Sequence, residues 1–128
     1  MKIIIAGGRD FNYISVLNKV LNELINPKED VIVSGDARGA DALGALWAAA
    51  QGVPVHHFPA QWDLYGNGAG YVRNAEMGEY ADAAICFWDG KSRGTHHMIV
   101  TMARMNKPVI VFDYQGNIKE KHHWERFR

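Results

Sequence analysis

Short apolar runs alternate along this chain with longer stretches in which apolar residues recur every three or four positions. Residues 2–6, 31–33, 53–58, 83–87 and 107–112 are the short runs. Runs of this kind, bounded by turn residues, predict strands covered on both faces of a parallel sheet. The longer stretches predict helices at about 11–25, 40–51, 71–81 and 95–105. Ile14, Leu17, Leu21, Leu24 and Ile25 mark the buried face of the first helix. Ala42, Leu43, Leu46, Trp47 and Ala50 mark that of the second, and Met98, Ile99, Met102 and Met105 that of the last. Asp10 is placed to cap the first helix, Asn26-Pro27 to stop it and Gly52 to close the second. Residues 59–70 show no period and read as a loop, which points to a functional segment.

Strictly alternating strands and helices predict an α/β fold, a doubly wound five-stranded parallel sheet of Rossmann-like type in the order 3-2-1-4-5. One domain is expected over residues 1–128, with a polar C-terminal tail at 113–128. In that order strands one and four are neighbours at the topological switch point, where such sheets bind ligands. The segments leaving those strands are Gly7-Gly8-Arg9-Asp10 and Trp88-Asp89-Gly90-Lys91-Ser92-Arg93-Gly94-Thr95. A third glycine-rich turn, Ser34-Gly35-Asp36-Ala37-Arg38-Gly39-Ala40-Asp41, follows strand two.

Each turn carries anion-binding chemistry. Gly7 and Gly8 let the backbone approach a ligand, and Arg9 offers a bidentate partner for phosphate. The second turn is a candidate phosphate nest with Ser34, Gly35 and Gly39, and Asp36 or Asp41 a candidate acceptor for ribose hydroxyls. Ser92, Gly94 and Thr95 put hydroxyls and an amide at a helix start, with Arg93 adding charge. Trp88 and Tyr65 offer faces for a base. Arg73 and Asn74 follow the long loop, and Arg73 is placed to reach the cleft or to pair with Glu76. No Gly-Lys-Ser/Thr closes the second turn and no third glycine completes the first, which excludes a P-loop and a dinucleotide fingerprint.

Charge narrows the partner. Fourteen basic and fourteen acidic residues cancel, which weighs against nucleic acid and leaves room for a local anion site. The expected partner is a nucleotide-like small molecule. The lone cysteine, Cys86, lies in an apolar run and reads as a buried thiol of a reducing compartment. The absence of a leader pattern or a long apolar run predicts a cytoplasmic protein with no membrane partner. The histidines occur as adjacent pairs, a spacing that gives no chelate, so no metal and no cofactor is expected. His96 and His97 start a helix beside the pocket and are the histidines to test for catalysis.

The three turns resemble the SLOG superfamily of Rossmann-like domains, and within it the YspA-type branch found in bacteria, prophages and phages. Gly7–Arg9, Ser34–Asp41 and Trp88–Thr95 match its signatures in order, and Arg73-Asn74 is similar to a further family feature. The resemblance implies a nucleotide or ribose-phosphate ligand bound by Gly7, Gly8, Arg9, Asp10, Ser34, Gly35, Asp36, Gly39, Asp41, Arg73, Asn74, Trp88, Asp89, Ser92, Arg93, Gly94 and Thr95. It also implies a homodimer or higher homo-oligomer. In the superfamily's phosphoribohydrolases the last motif continues to a catalytic Glu, whereas this chain has Met98 there. No catalytic residue is therefore assigned. The leading expectation is binding or sensing of a nucleotide-derived molecule such as ADP-ribose, NAD or a nucleoside phosphate. Cleavage of an N-glycosidic bond and single-stranded DNA binding of the kind seen in the superfamily's DprA proteins are the alternatives.

Overall fold

The computed structural model describes residues 1–128. The chain runs through β1 (Lys2–Gly7), α1 (Ile14–Leu24), β2 (Val31–Ser34), α2 (Ala40–Gln51), β3 (Val55–His57), α3 (Trp62–Tyr65), α4 (Ala69–Tyr80), β4 (Ala83–Phe87), α5 (Arg93–Arg104), β5 (Val109–Phe112) and β6 (Ile118–His122). The sheet order is β3-β2-β1-β4-β5-β6. The first five strands are parallel, in the expected 3-2-1-4-5 arrangement. Ile4 sits beside both Val33 and Ala84, so β1 is the centre of the sheet.

Alternation along β1 explains the layers. Ile3 and Ile5 point into one apolar cluster with Leu17, Leu21 and Trp47, under α1 and α2. Ile4 and Ala6 point into the other, with Met77, Met98 and Met102, under α4 and α5. Small residues let α2 lie close on the sheet. A Cβ at Gly44 would sit 2.8 Å from Ile5 Cγ2, a contact no side chain accommodates without movement.

Several elements depart from the sequence pattern. The first helix begins at Ile14, with Tyr13 at its cap position and no side-chain cap. Asp10 instead accepts a hydrogen bond from the Tyr114 hydroxyl at 2.6 Å. Ile14 is 56% exposed, and Val20 takes a place on the buried face. The α2 stripe is rotated: Ala40, Asp41, Gly44, Trp47 and Ala48 are buried, while Leu46 is 66% exposed. Residues 59–70 are not one loop but hold α3, a 3-10 turn at Gly66–Gly68 and the start of α4. The polar tail adds β6, antiparallel to β5. Trp124 and Phe127 stack at 4.2 Å and pack against the α1–α2 side of the core. No helix is long and apolar enough to cross a membrane.

Candidate functional site

The C-terminal ends of β1, β2 and β4 open into a cavity of about 430 Å³ at the switch point. Gly7, Gly8, Arg9, Asp10, Asp41, Arg73, Asn74, Ser92, Gly94 and Thr95 line it. Three separate turns and α4 thus contribute to one pocket. The remaining sequence candidates lie elsewhere. Gly35 and Asp36 face a smaller neighbouring cavity of about 140 Å³, which shares Arg9, Ala37, Trp62 and Arg73 with the first. Trp88 and Arg93 face a third cavity. Ser34 is buried, and its hydroxyl accepts from the Asp36 amide at 3.2 Å. Gly39, at φ 77°, lies against the Gly8 carbonyl, where any side chain would collide. Asp89 accepts from the Lys91 and Ser92 amides at 2.8 Å each, which holds its carboxyl below the usual range and shapes the turn from within.

Several amides of the second turn are engaged within the protein. The Ala40 amide donates to the Gly8 carbonyl at 3.4 Å, tying the first two turns together. The backbone of Ala37 and Gly35 donates to the Asp41 carboxyl. Asp41 therefore fills the nest of its own turn. Burial pushes this carboxyl up to about 6 despite the nearby Arg73 guanidinium and these amide bonds.

Two arginines converge where that carboxylate is weakened. Arg73 donates through Nη1 to the Gly35 carbonyl and through Nε to Asn74 Oδ1 at 3.1 Å. It does not pair with Glu76, since no ion pair joins them. Burial lowers its pKa, Asp41 opposes this, and the charge of Arg9 lowers it further. Arg9 is exposed, has no carboxylate within ion-pair distance, and sits 6.0 Å from the Trp62 ring centre. Like charges held together in a concave site favour an anion between them.

The opposite wall is the start of α5. Ser92 caps this helix by accepting from the Thr95 amide at 3.4 Å, and its hydroxyl meets Thr95 Oγ1 at 3.0 Å. The Asn74 amide group donates to the Gly94 carbonyl at 3.1 Å and faces His97 Nδ1 at 3.2 Å, which locks α4 to α5 across the pocket. Burial, and then His96, lower the His97 pKa from its ordinary value. Met98 lines the same pocket, where the resemblance implies a Glu in the hydrolases.

Among the lining residues that the sequence does not single out are Trp62, Asn67 and Tyr71. Trp62 and Tyr71 are 49% and 45% exposed and form an aromatic rim. Tyr65, expected as a base platform, lies outside the pocket. The signal for Trp62 was present, an aromatic residue in a glycine-rich segment beside the switch point, but a four-residue helix is too short to show a period.

Fold and pocket together define a Rossmann-like domain with a cavity at its topological switch point. The model of the YspA, cpYpsA-related SLOG family matches residues 1–65. The Gene 61 protein of Mycobacterium phage D29 is 33% identical over 119 residues, which span 87% of this chain and 95% of that protein. This chain belongs to the YspA, cpYpsA-related SLOG family. The solved structure of DNA processing protein A from Helicobacter pylori, described for its single-stranded DNA binding mode, is similar in fold. Its TM-score is 0.60 at 18% identity, over 88% of this chain and 65% of that one. This chain therefore spans just under two thirds of that protein.

One expectation is corrected by this comparison. Zero net charge was read as weighing against nucleic acid, yet a protein described as binding single-stranded DNA shares this fold. Net charge sums over the whole surface, whereas Arg9 and Arg73 create a local field that the sum conceals.

Proposed function

We propose that the switch-point pocket holds one nucleotide unit of single-stranded DNA. The observation that carries this reading is the convergence of Arg9 and Arg73 in a pocket rimmed by the exposed rings of Trp62 and Tyr71. Cations that track phosphate beside aromatic platforms are how single strands are bound without base-specific contacts. In this arrangement the phosphate lies between the guanidinium of Arg9 and the hydroxyls of Ser92 and Thr95, and the base rests on Trp62 or Tyr71. The fold shared with DNA processing protein A, a protein described as binding single-stranded DNA, supports the same reading.

A second reading is a free nucleotide-derived molecule such as ADP-ribose or a nucleoside phosphate. The cavity size favours it, since about 430 Å³ falls within the roughly 300–1,000 Å³ usual for small-ligand sites. Glycosidic cleavage has less support. Of the two carboxyl groups in the pocket, Asp10 is bonded to Tyr114 and Asp41 is held by its own turn.

Fluorescence anisotropy of a labelled oligo(dT) tests the proposal, with the free nucleotides as competitors. Arg9→Ala and Trp62→Ala each weaken binding about tenfold or more, in keeping with roughly 1–3 kcal/mol for one stacking contact. Arg9→Ala also reduces the slope of log K against log salt by about 0.7. Oligonucleotide binding unchanged in both variants overturns the proposal. Displacement by ADP-ribose or AMP with no oligonucleotide binding supports the second reading instead.

A further inference from the structure

A third cavity adjoins the pocket on the α5 side. Its volume is about 450 Å³, and Tyr71 is common to both. The two are also joined by the Asn74–His97 contact at 3.2 Å, for Asn74 lines the first and His97 the second. The walls of this cavity are rings. Trp88 and His96 lie nearly parallel, 25° apart with centres 5.4 Å apart. Tyr71 and His97 meet edge to face at 4.6 Å. The Trp88 indole N–H donates to the Ser92 carbonyl at 3.0 Å, which fixes the ring before any ligand arrives.

Two cations border these rings. Lys91 and Arg93 are exposed, and neither has a carboxylate within ion-pair distance. Asp89, two residues before Lys91, spends its carboxylate on two backbone amides. The composition of this cavity thus repeats that of the first: unpaired positive charge beside aromatic faces.

We propose that this cavity is a second nucleotide subsite, which takes the base next to the one in the switch-point pocket. The inference rests on the reading of that pocket as a single-strand site. Lys91 and Arg93 meet the phosphate that links the two nucleotides, and the ring walls receive the second base. Tyr71, shared by both cavities, separates the two bases. A strand bound in this way crosses the C-terminal edge of the sheet from Trp62 to Trp88.

Length dependence tests it. Binding of dTMP, the dinucleotide pdTpdT and oligo(dT) is measured by calorimetry for the native chain, for Lys91→Ala/Arg93→Ala and for His96→Ala. The expected result is pdTpdT binding about tenfold or more tighter than dTMP, as one added stacking contact implies. In the double variant that gain falls at least about fivefold while dTMP affinity is unchanged, and His96→Ala shows the same pattern. No gain with length, or a gain that survives both variants, overturns the second subsite and leaves the first pocket standing. Failure of every ligand, oligo(dT) included, overturns both.

Discussion

Burial raises the Asp41 carboxyl to about 6 in the folded chain, against an ordinary value of 3.8. Between those values the folded state binds more protons than the unfolded state, so Asp41's contribution to stability falls as pH rises through that window. The effect is on the order of 2–3 kcal/mol at pH 7. Asp41→Asn removes this dependence. Urea melts are therefore expected to show the variant gaining on the native chain between pH 4.5 and 7.5. A constant difference across that range contradicts the burial argument. Asp89 and Asp113 act in the opposite direction, since amide bonds hold both below the usual range and their contribution is lost on acidification. The comparison must therefore be between variant and native chain rather than between two pH values of one chain. The position of Asp41 in the first turn of a helix was legible in the sequence. Its burial was not, because that depends on β1, α4 and the Gly35 backbone closing over it.

At the scale of elements, the five parallel strands and the bounds of α2 were legible because each is a short apolar run or a helix with clear end signals. What failed has a common physical cause: a distant residue claims a group that local pattern assigns to its neighbours. Asp10 does not cap α1 because Tyr114, more than a hundred residues away, takes its carboxylate. The tail reads as polar because β6 is an edge strand whose Lys119 and Lys121 face solvent. Charged edges of this kind resist pairing with other chains. The α2 stripe was drawn through its largest apolar residues, whereas close packing on the sheet selects its smallest ones, Ala40, Gly44 and Ala48. Two substitutions follow. Leu46→Lys leaves thermal stability within about 0.5 kcal/mol of native, as for an ordinary surface position. Ala48→Leu, one helical turn from Gly44 at a position with no exposure, costs about 1–3 kcal/mol through overpacking. Thermal or urea melts check both. Equal effects, or the reverse order, refute the orientation of α2.

For the whole molecule, the topology gathers what the sequence scatters. Arg9 and Arg73 lie in different elements, and so do Trp62, Tyr71 and Thr95, yet one cavity holds them all. The sheet order alone places the first and third turns side by side. That Arg73 joins them follows from α4 packing on α5, where Asn74 bonds the Gly94 carbonyl. No local pattern carries that contact. The neutral total charge belongs to this scale as well, since it describes the sum of surface charges while binding responds to their placement.

The central claim is that the switch-point pocket holds a nucleotide of single-stranded DNA. Amide chemical-shift mapping tests it most directly. A titration of the ¹⁵N-labelled chain with oligo(dT) is expected to move the amides of Gly7–Asp10, Gly70–Asn74 and Ser92–Thr95 together and to saturate. Amides on the outer faces of α1 and α2 should stay in place. Shifts confined to the α1–α2 face, or no saturable shift in the three pocket segments, contradict the account.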